Sequence, residues 1–270
     1  MRTLRAQWLG QRLRELREGR GLSLKLVSAH LDRDLSALGR YERAEWPIPR
    51  ADVVRLLDLY GFHVTAERAR LLQVAENLWR THRWTDHADD RGDAPFIDLP
   101  WLAVRAERVC LYHPTTIPEP LRTPRYAALT ARYSVTESAH RRQPIPGGVA
   151  LQAVVDEAAL RRPIGGTDTV RAQIRHLHQL HEAGQADVRV LPTDMALHPG
   201  LDGPFWLFQM PEPYPPVGYL NGLAGELYIE LPQAQRFVDT YRRLLDAALD
   251  GAESADLLAR LARPGGIDGP

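Results

Sequence analysis

The chain is 270 residues long and carries 34 basic and 34 acidic side chains, so its formal net charge is zero. Hydrophobic residues at 44% and charged residues at 25% match an ordinary globular protein of one large or two modest domains. No run approaches the ~18 apolar residues of a membrane helix, Met1-Arg2-Thr3-Leu4-Arg5 lacks the apolar stretch of a secretory signal, and the single cysteine, Cys110, excludes an internal disulfide. A reduced, cytoplasmic setting is therefore expected.

Residues 1–80 read as five short helices. In the first, Leu9, Leu13 and Leu16 form one apolar stripe between arginines and glutamates, and Gly19-Arg20-Gly21 ends it. Ser23 caps a second helix carrying Leu26, Val27 and Leu31. Asp32-Arg33-Asp34 breaks it, and Asp34 caps a third with Leu35, Leu38 and Tyr41. Trp46-Pro47-Ile48-Pro49 is a rigid stop. Val53, Leu56, Leu57 and Tyr60 mark a fourth helix that Gly61 closes. Thr65 is read as the cap of a fifth, with Leu71, Leu72, Ala75, Leu78 and Trp79.

Residues 81–100 are polar and read as a linker. From 101 to 263 the pattern is α/β or α+β, followed by a short tail at 264–270. Strands are predicted over 104–112, 151–156, 187–191, 205–210 and 217–221, and helices over 125–133, 168–183, 232–249 and 254–262. The charge divides at the same border. Residues 1–80 hold 15 basic and 10 acidic side chains, a balance of +5, and the remainder a balance of −5. The zero net charge is thus a sum of opposites, and the basic head can still meet phosphates. Only Lys25 is a lysine, so arginine is common everywhere and is weak evidence of a site by itself.

The second and third helices carry the strongest chemistry. Val27, Ser28, Leu31, Leu38 and Tyr41 are small or apolar where two helices must cross, and three residues join them. The third helix then presents Leu35, Ser36, Ala37, Gly39, Arg40 and Arg43 to a major groove. Arginine there can read guanine or clamp a phosphate. Ser23 and Lys25 stand at the start of the second helix, whose backbone N–H groups suit phosphate oxygens. Gly21-Leu22-Ser23, Leu31, Leu38, Arg40, Glu42 and Arg43 resemble the XRE, Cro/repressor-type, helix–turn–helix family. Against its usual run, Leu24 replaces a glutamine, Ser28 an alanine, Asp32 the turn glycine, Arg33 an apolar residue, Asp34 a serine and Gly39 a serine. The resemblance implies double-stranded DNA as partner, and one head covers only a half-site, so a homodimer is expected.

In the second half, 117–127, 155–166, 190–192 and 198–205, with Tyr219, Leu227-Tyr228 and the final helix, resemble the domain of unknown function that follows this head in an actinobacterial, antitoxin-like regulator family. Pro118-Glu119-Pro120-Leu121-Arg122-Thr123 stands where that family has Pro-Gly-Leu-Leu-Gln-Thr. The resemblance implies a regulator whose C-terminal domain senses a ligand or a small partner protein encoded nearby. The alternative it leaves open is an antitoxin-like module whose main task is binding that partner. Arg161 and Arg162 are candidate anion contacts, and His198 and Asp202 candidate ligand or partner contacts in a Gly/Pro-rich loop. The simpler expectation is that Asp202 bonds that loop's own amides. A His–carboxylate pair also makes an enzyme a remote reading. Gly-x-Ser-x-Gly is absent, however, and no enzymatic role, cofactor or membrane partner is expected. His176, His178 and His181 read as a solvated helix face rather than a metal site, with Val170, Ile174, Leu177 and His181 pointing inward.

Overall fold

The computed structural model describes residues 3–78, 83–85, 99–132, 148–195, 197–212, 214–222 and 225–267. The head comprises α1 (Leu4–Gly19), α2 (Leu24–Leu31), α3 (Leu35–Glu42), α4 (Arg50–Leu59) and α5 (Thr65–Asn77). The apolar stripes meet in one core: Leu9 and Leu13 of α1, Val27 and Leu31 of α2, Leu38 of α3, Val53, Leu56 and Leu57 of α4 and Leu71 of α5. Thr3 caps α1 through its side chain, ahead of the stripe's first leucine. Ser23 Oγ accepts from the Leu26 N–H at 3.3 Å. Thr65 is not a cap: α5 follows Val64, with Thr65 its first residue and no side-chain capping bond. Trp79 lies outside the described residues.

The second half is a mixed sheet between helices. Its strands are β1 (Arg83–Thr85), β2 (Arg108–His113), β3 (Ala150–Asp156), β4 (Ala186–Leu191), β5 (Phe205–Gln209), β6 (Val217–Gly222) and β7 (Gly225–Ile229). Among the described residues they lie in the order β1-β7-β6-β5-β2-β3-β4. β2, β3 and β4 are parallel, and the other neighbouring pairs are antiparallel. The parallel strands are linked by the helices a parallel crossover requires: α7 (Pro124–Ala131) between β2 and β3, and α8 (Glu157–Arg161) and α9 (Thr167–Glu182) between β3 and β4. α6 (Leu99–Arg105) precedes β2, and α10 (Ala234–Ala247) and α11 (Gly251–Leu261) close the chain.

Both faces of the parallel strands are buried. Val109, Leu111, Ala153, Val155, Val188 and Val190 face one way, against Val170, Ile174 and Leu177 of α9 and Leu257, Leu258 and Leu261 of α11. The alternate residues Cys110, Tyr112, Val154 and Leu191 face the other way, against Tyr241 and Leu244 of α10. Burial pushes the Cys110 thiol up to about 12. Of the inward stripe expected on α9, Val170, Ile174 and Leu177 are buried, and His181 Nδ1 accepts the Val188 N–H at 3.1 Å.

The structure departs from the sequence reading in several places, β7 among them, which no predicted strand covered. The strand expected over 104–112 begins only at Arg108, because Val104 and Arg105 end α6. Part of the segment read as a linker is structured: Arg83–Thr85 pairs with Leu227–Ile229 of β7. The head is also not held apart from the sheet. Leu4 lies in the sheet's own core. The Arg5 backbone N–H donates to Glu230 Oε1 at 3.1 Å and its Nε to Oε2 at 3.2 Å, with the Glu230 side chain fully buried. Burial holds Glu230 above the ordinary carboxylate range in spite of Arg5.

Candidate nucleic-acid interface

The α2–α3 corner is built from small and apolar residues. Val27, Leu31, Leu38 and Tyr41 are buried at the crossing. Ser28 is buried too, and its hydroxyl donates to the Lys25 carbonyl at 3.0 Å. Asp32 does the work of a turn glycine: it sits at φ 55° and ψ 49°, in the left-handed region that aspartate tolerates better than most residues. The next N–H, of Arg33, closes α2 on the Ser28 carbonyl at 3.0 Å.

Two arginines hold this corner to α4. Arg33 pairs with the buried Asp52 at 3.1 Å. Arg55 donates to the Leu31 carbonyl at 2.8 Å, satisfying one of the orphan acceptors at the end of α2. A third strap joins α1 to α3. Arg17 Nε and Nη2 grip Glu42 at 2.7 and 2.9 Å, and Nη1 donates to the Leu22 carbonyl at 2.9 Å. That hydrogen-bonded carboxylate holds the Arg17 guanidinium above its ordinary value. α1 comes close enough for this because residue 10 is glycine: a Cβ there would lie 2.6 Å from the Glu42 carbonyl oxygen.

The surface left over is the leading half of α3. Leu35 and Ser36 are exposed and Ala37 half-buried. Gly39 does not contribute: it is buried, and the Arg43 guanidinium lies 3.0 Å from where its Cβ would be. The Arg40 guanidinium stacks over the half-exposed Trp46 ring at 4.3 Å. Arg43 is exposed but bridged to Glu45 at 3.0 and 3.1 Å, and that carboxylate raises its basicity. Ser23 and Lys25 are both exposed at the start of α2, with the serine oxygen engaged as a cap. Asp34 occupies the cap position of α3 without a side-chain capping bond, leaving its exposed carboxylate at the helix mouth.

The residues singled out in the second half divide. His198 pairs with Asp156 at 3.8 Å, not with Asp202. The loop amide expected to bond Asp202 bonds the histidine instead: Gly200 N–H donates to His198 Nδ1 at 3.3 Å, while Asp202 is exposed. Arg161 pairs with Glu157 at 2.7 Å and Arg162 is exposed, so the four residues do not converge. What converges lies elsewhere. A cavity of about 100 Å³ opens at the carboxyl end of β2, lined by His113, Glu119, Arg122, Trp206, Tyr219 and Asn221. His113 Nδ1 accepts the Thr116 N–H at 3.2 Å, and burial, then Arg122, hold its pKa down to about 4. Arg122 is fixed by donating to the Ile117 carbonyl at 2.7 Å and to the Thr130 hydroxyl at 3.1 Å. Glu119 and Arg122 belong to the segment where the chain departs from the family run. His113, Trp206 and Asn221 gave no sequence signal, since three separate strands bring them together. Among the described residues no group of three metal-binding side chains occurs, and no helix is long and apolar enough to cross a membrane.

Comparison with known proteins finds one family model in each half. The model of a helix-turn-helix domain matches residues 8–71. The model of the domain of unknown function DUF5753 matches residues 96–260. No curated protein and no solved structure matches the chain.

Proposed function

The chain belongs to the family of the domain of unknown function DUF5753, and from that premise we propose that it is a transcriptional regulator of the XRE, Cro/repressor-type class. The observation that carries this is the α2–α3 corner, braced against α1 by Arg17 and against α4 by Arg33 and Arg55, with the first turn of α3 turned outward. In this reading α3 enters the major groove, while Lys25, Arg40 and the N-terminus of α2 meet phosphates. Arg43 joins them only by giving up Glu45. Two heads bind together as a homodimer, since one corner covers a half-site.

The C-terminal domain is the sensor in this proposal, not an enzyme. The cavity beside His113 and Arg122 supports a small ligand. A second reading, an antitoxin-like role in binding a small partner protein, is favoured by Leu197 and Leu201, which are 83% and 62% exposed on either side of His198.

Gel retardation of the protein's own promoter fragment, titrated from about 50 to 200 mM salt, tests the DNA reading. Arg40→Ala is expected to weaken binding and to flatten the salt slope by about 0.9 for each phosphate left without its cation. An unchanged slope in the double variant Arg40→Ala/Arg43→Ala would overturn this geometry. Co-purification with small neighbouring gene products tests the partner reading.

A further inference from the structure

We infer that the head reads thymine, through the 5-methyl group and by apolar contact with Leu35, rather than guanine through arginine. The inference rests on the DNA-binding reading above and specifies what that surface recognises. Base edges are met by the first turn of the groove-entering helix, and in α3 that turn presents Leu35, Ser36 and Ala37. Leu35 is 52% exposed, a large apolar side chain held in water at the place where a base would arrive.

The arginines of the corner are engaged away from the first turn of α3. Arg33 is tied to buried Asp52, and Arg55 to the end of α2. Arg43 is bridged to Glu45, and Arg40 is stacked on Trp46 further along α3. Guanine presents two acceptors, O6 and N7, in the major groove, and a bidentate cation is what reads them. The group that stands at the mouth of α3 is the Asp34 carboxylate, which repels acceptors. Thymine is the base that offers an apolar group in that groove. Covering its methyl with Leu35 removes apolar surface on both partners from water.

The test uses the full chain. Duplexes enriched from a random-sequence pool are resynthesised with deoxyuridine replacing each thymine in turn, which deletes the methyl and leaves every hydrogen-bonding group. One thymine per half-site is expected to lose roughly fourfold in affinity, the worth of about one buried methyl-sized group. At that position 5-methylcytosine should bind better than cytosine. Leu35→Ala and Leu35→Gln, both at a half-exposed position and checked for native circular dichroism, should bind thymine and uracil duplexes alike. A flat deoxyuridine scan, or discrimination that survives in both variants, overturns the thymine contact while leaving DNA binding intact. Failure to enrich any duplex overturns the DNA reading itself, and this inference with it.

Discussion

Asp34 and His113 show how single residues set the properties of the two halves. Asp34 is exposed at the cap of α3, where an aspartate favours the helix dipole but opposes phosphate. Asp34→Asn keeps the size and the capping capacity and removes the charge. Its expected effect is a rise in DNA affinity of roughly threefold at low salt, fading as salt screens the charge, measured by retardation. His113 is neutral in the folded chain, its pKa held near 4 against an ordinary value of about 6.5. As pH falls from about 6.5 to 4, the unfolded chain therefore takes up a proton that the folded chain refuses. Stability should fall across that window by up to about 3 kcal/mol and level off below it. His113→Asn, which keeps an acceptor for the Thr116 N–H, should lose that part of the pH dependence in urea titrations between pH 7 and 4.

The elements were legible where their signals are local. A leucine every three or four residues, Ser23 before α2 and Gly61 after α4 are enough to find helices, because a helix is stabilised by contacts within one turn. β7 was missed because Gly-Glu-Leu-Tyr-Ile has no alternation, and its ladder to β6 and β1 is what makes it a strand. Val104 was misread as strand because short apolar runs suit either element; Leu102 and Ala103 of the same run pack into the sheet's core as helix, while Val104 stays exposed. The packing of α1 on α3 is likewise invisible locally, yet it depends on one glycine. Gly10→Ala would place a Cβ within 2.6 Å of one backbone oxygen and 2.8 Å of another, neither able to rotate away. Alanine favours a helix by about 1 kcal/mol over glycine. A net loss of about 1–2 kcal/mol is nevertheless expected from overpacking, read as a lowered urea midpoint at unchanged slope.

For the whole molecule, head and sheet behave as joined bodies rather than beads on a linker. The joint is the first turn of α1: Leu4 in the sheet's core and Arg5 on buried Glu230. Removing one partner of a buried pair strands the other charge. Glu230→Ala is accordingly expected to cost about 3 kcal/mol and to split thermal unfolding into separate head and sheet transitions by calorimetry. A single transition at unchanged temperature would show that the Arg5–Glu230 pair contributes nothing to that coupling. Tyr219, which lines the cavity, packs against Tyr228 with ring centroids 5.1 Å apart and tilted by 49°, two residues before Glu230. The cavity and the joint therefore share one stretch of packed side chains.

The sequence by itself determined the helical head, the position of its α2–α3 corner and the mixed character of the second half, because caps, turns and apolar periodicity are written within a few neighbouring residues. It also limited the outward face of α3 to a short set of candidates, of which Gly39 alone proved buried. Only the tertiary structure decided what the charges do. Arginine is so abundant here that no arginine stands out, and each takes its role from a partner far along the chain: Arg17 from Glu42, Arg33 from Asp52, Arg5 from Glu230. The same holds for His198, which found Asp156 rather than the nearer Asp202. Coulombic and hydrogen-bonding partners are chosen by distance in space, and in this chain space is set by the cores of the head and the sheet.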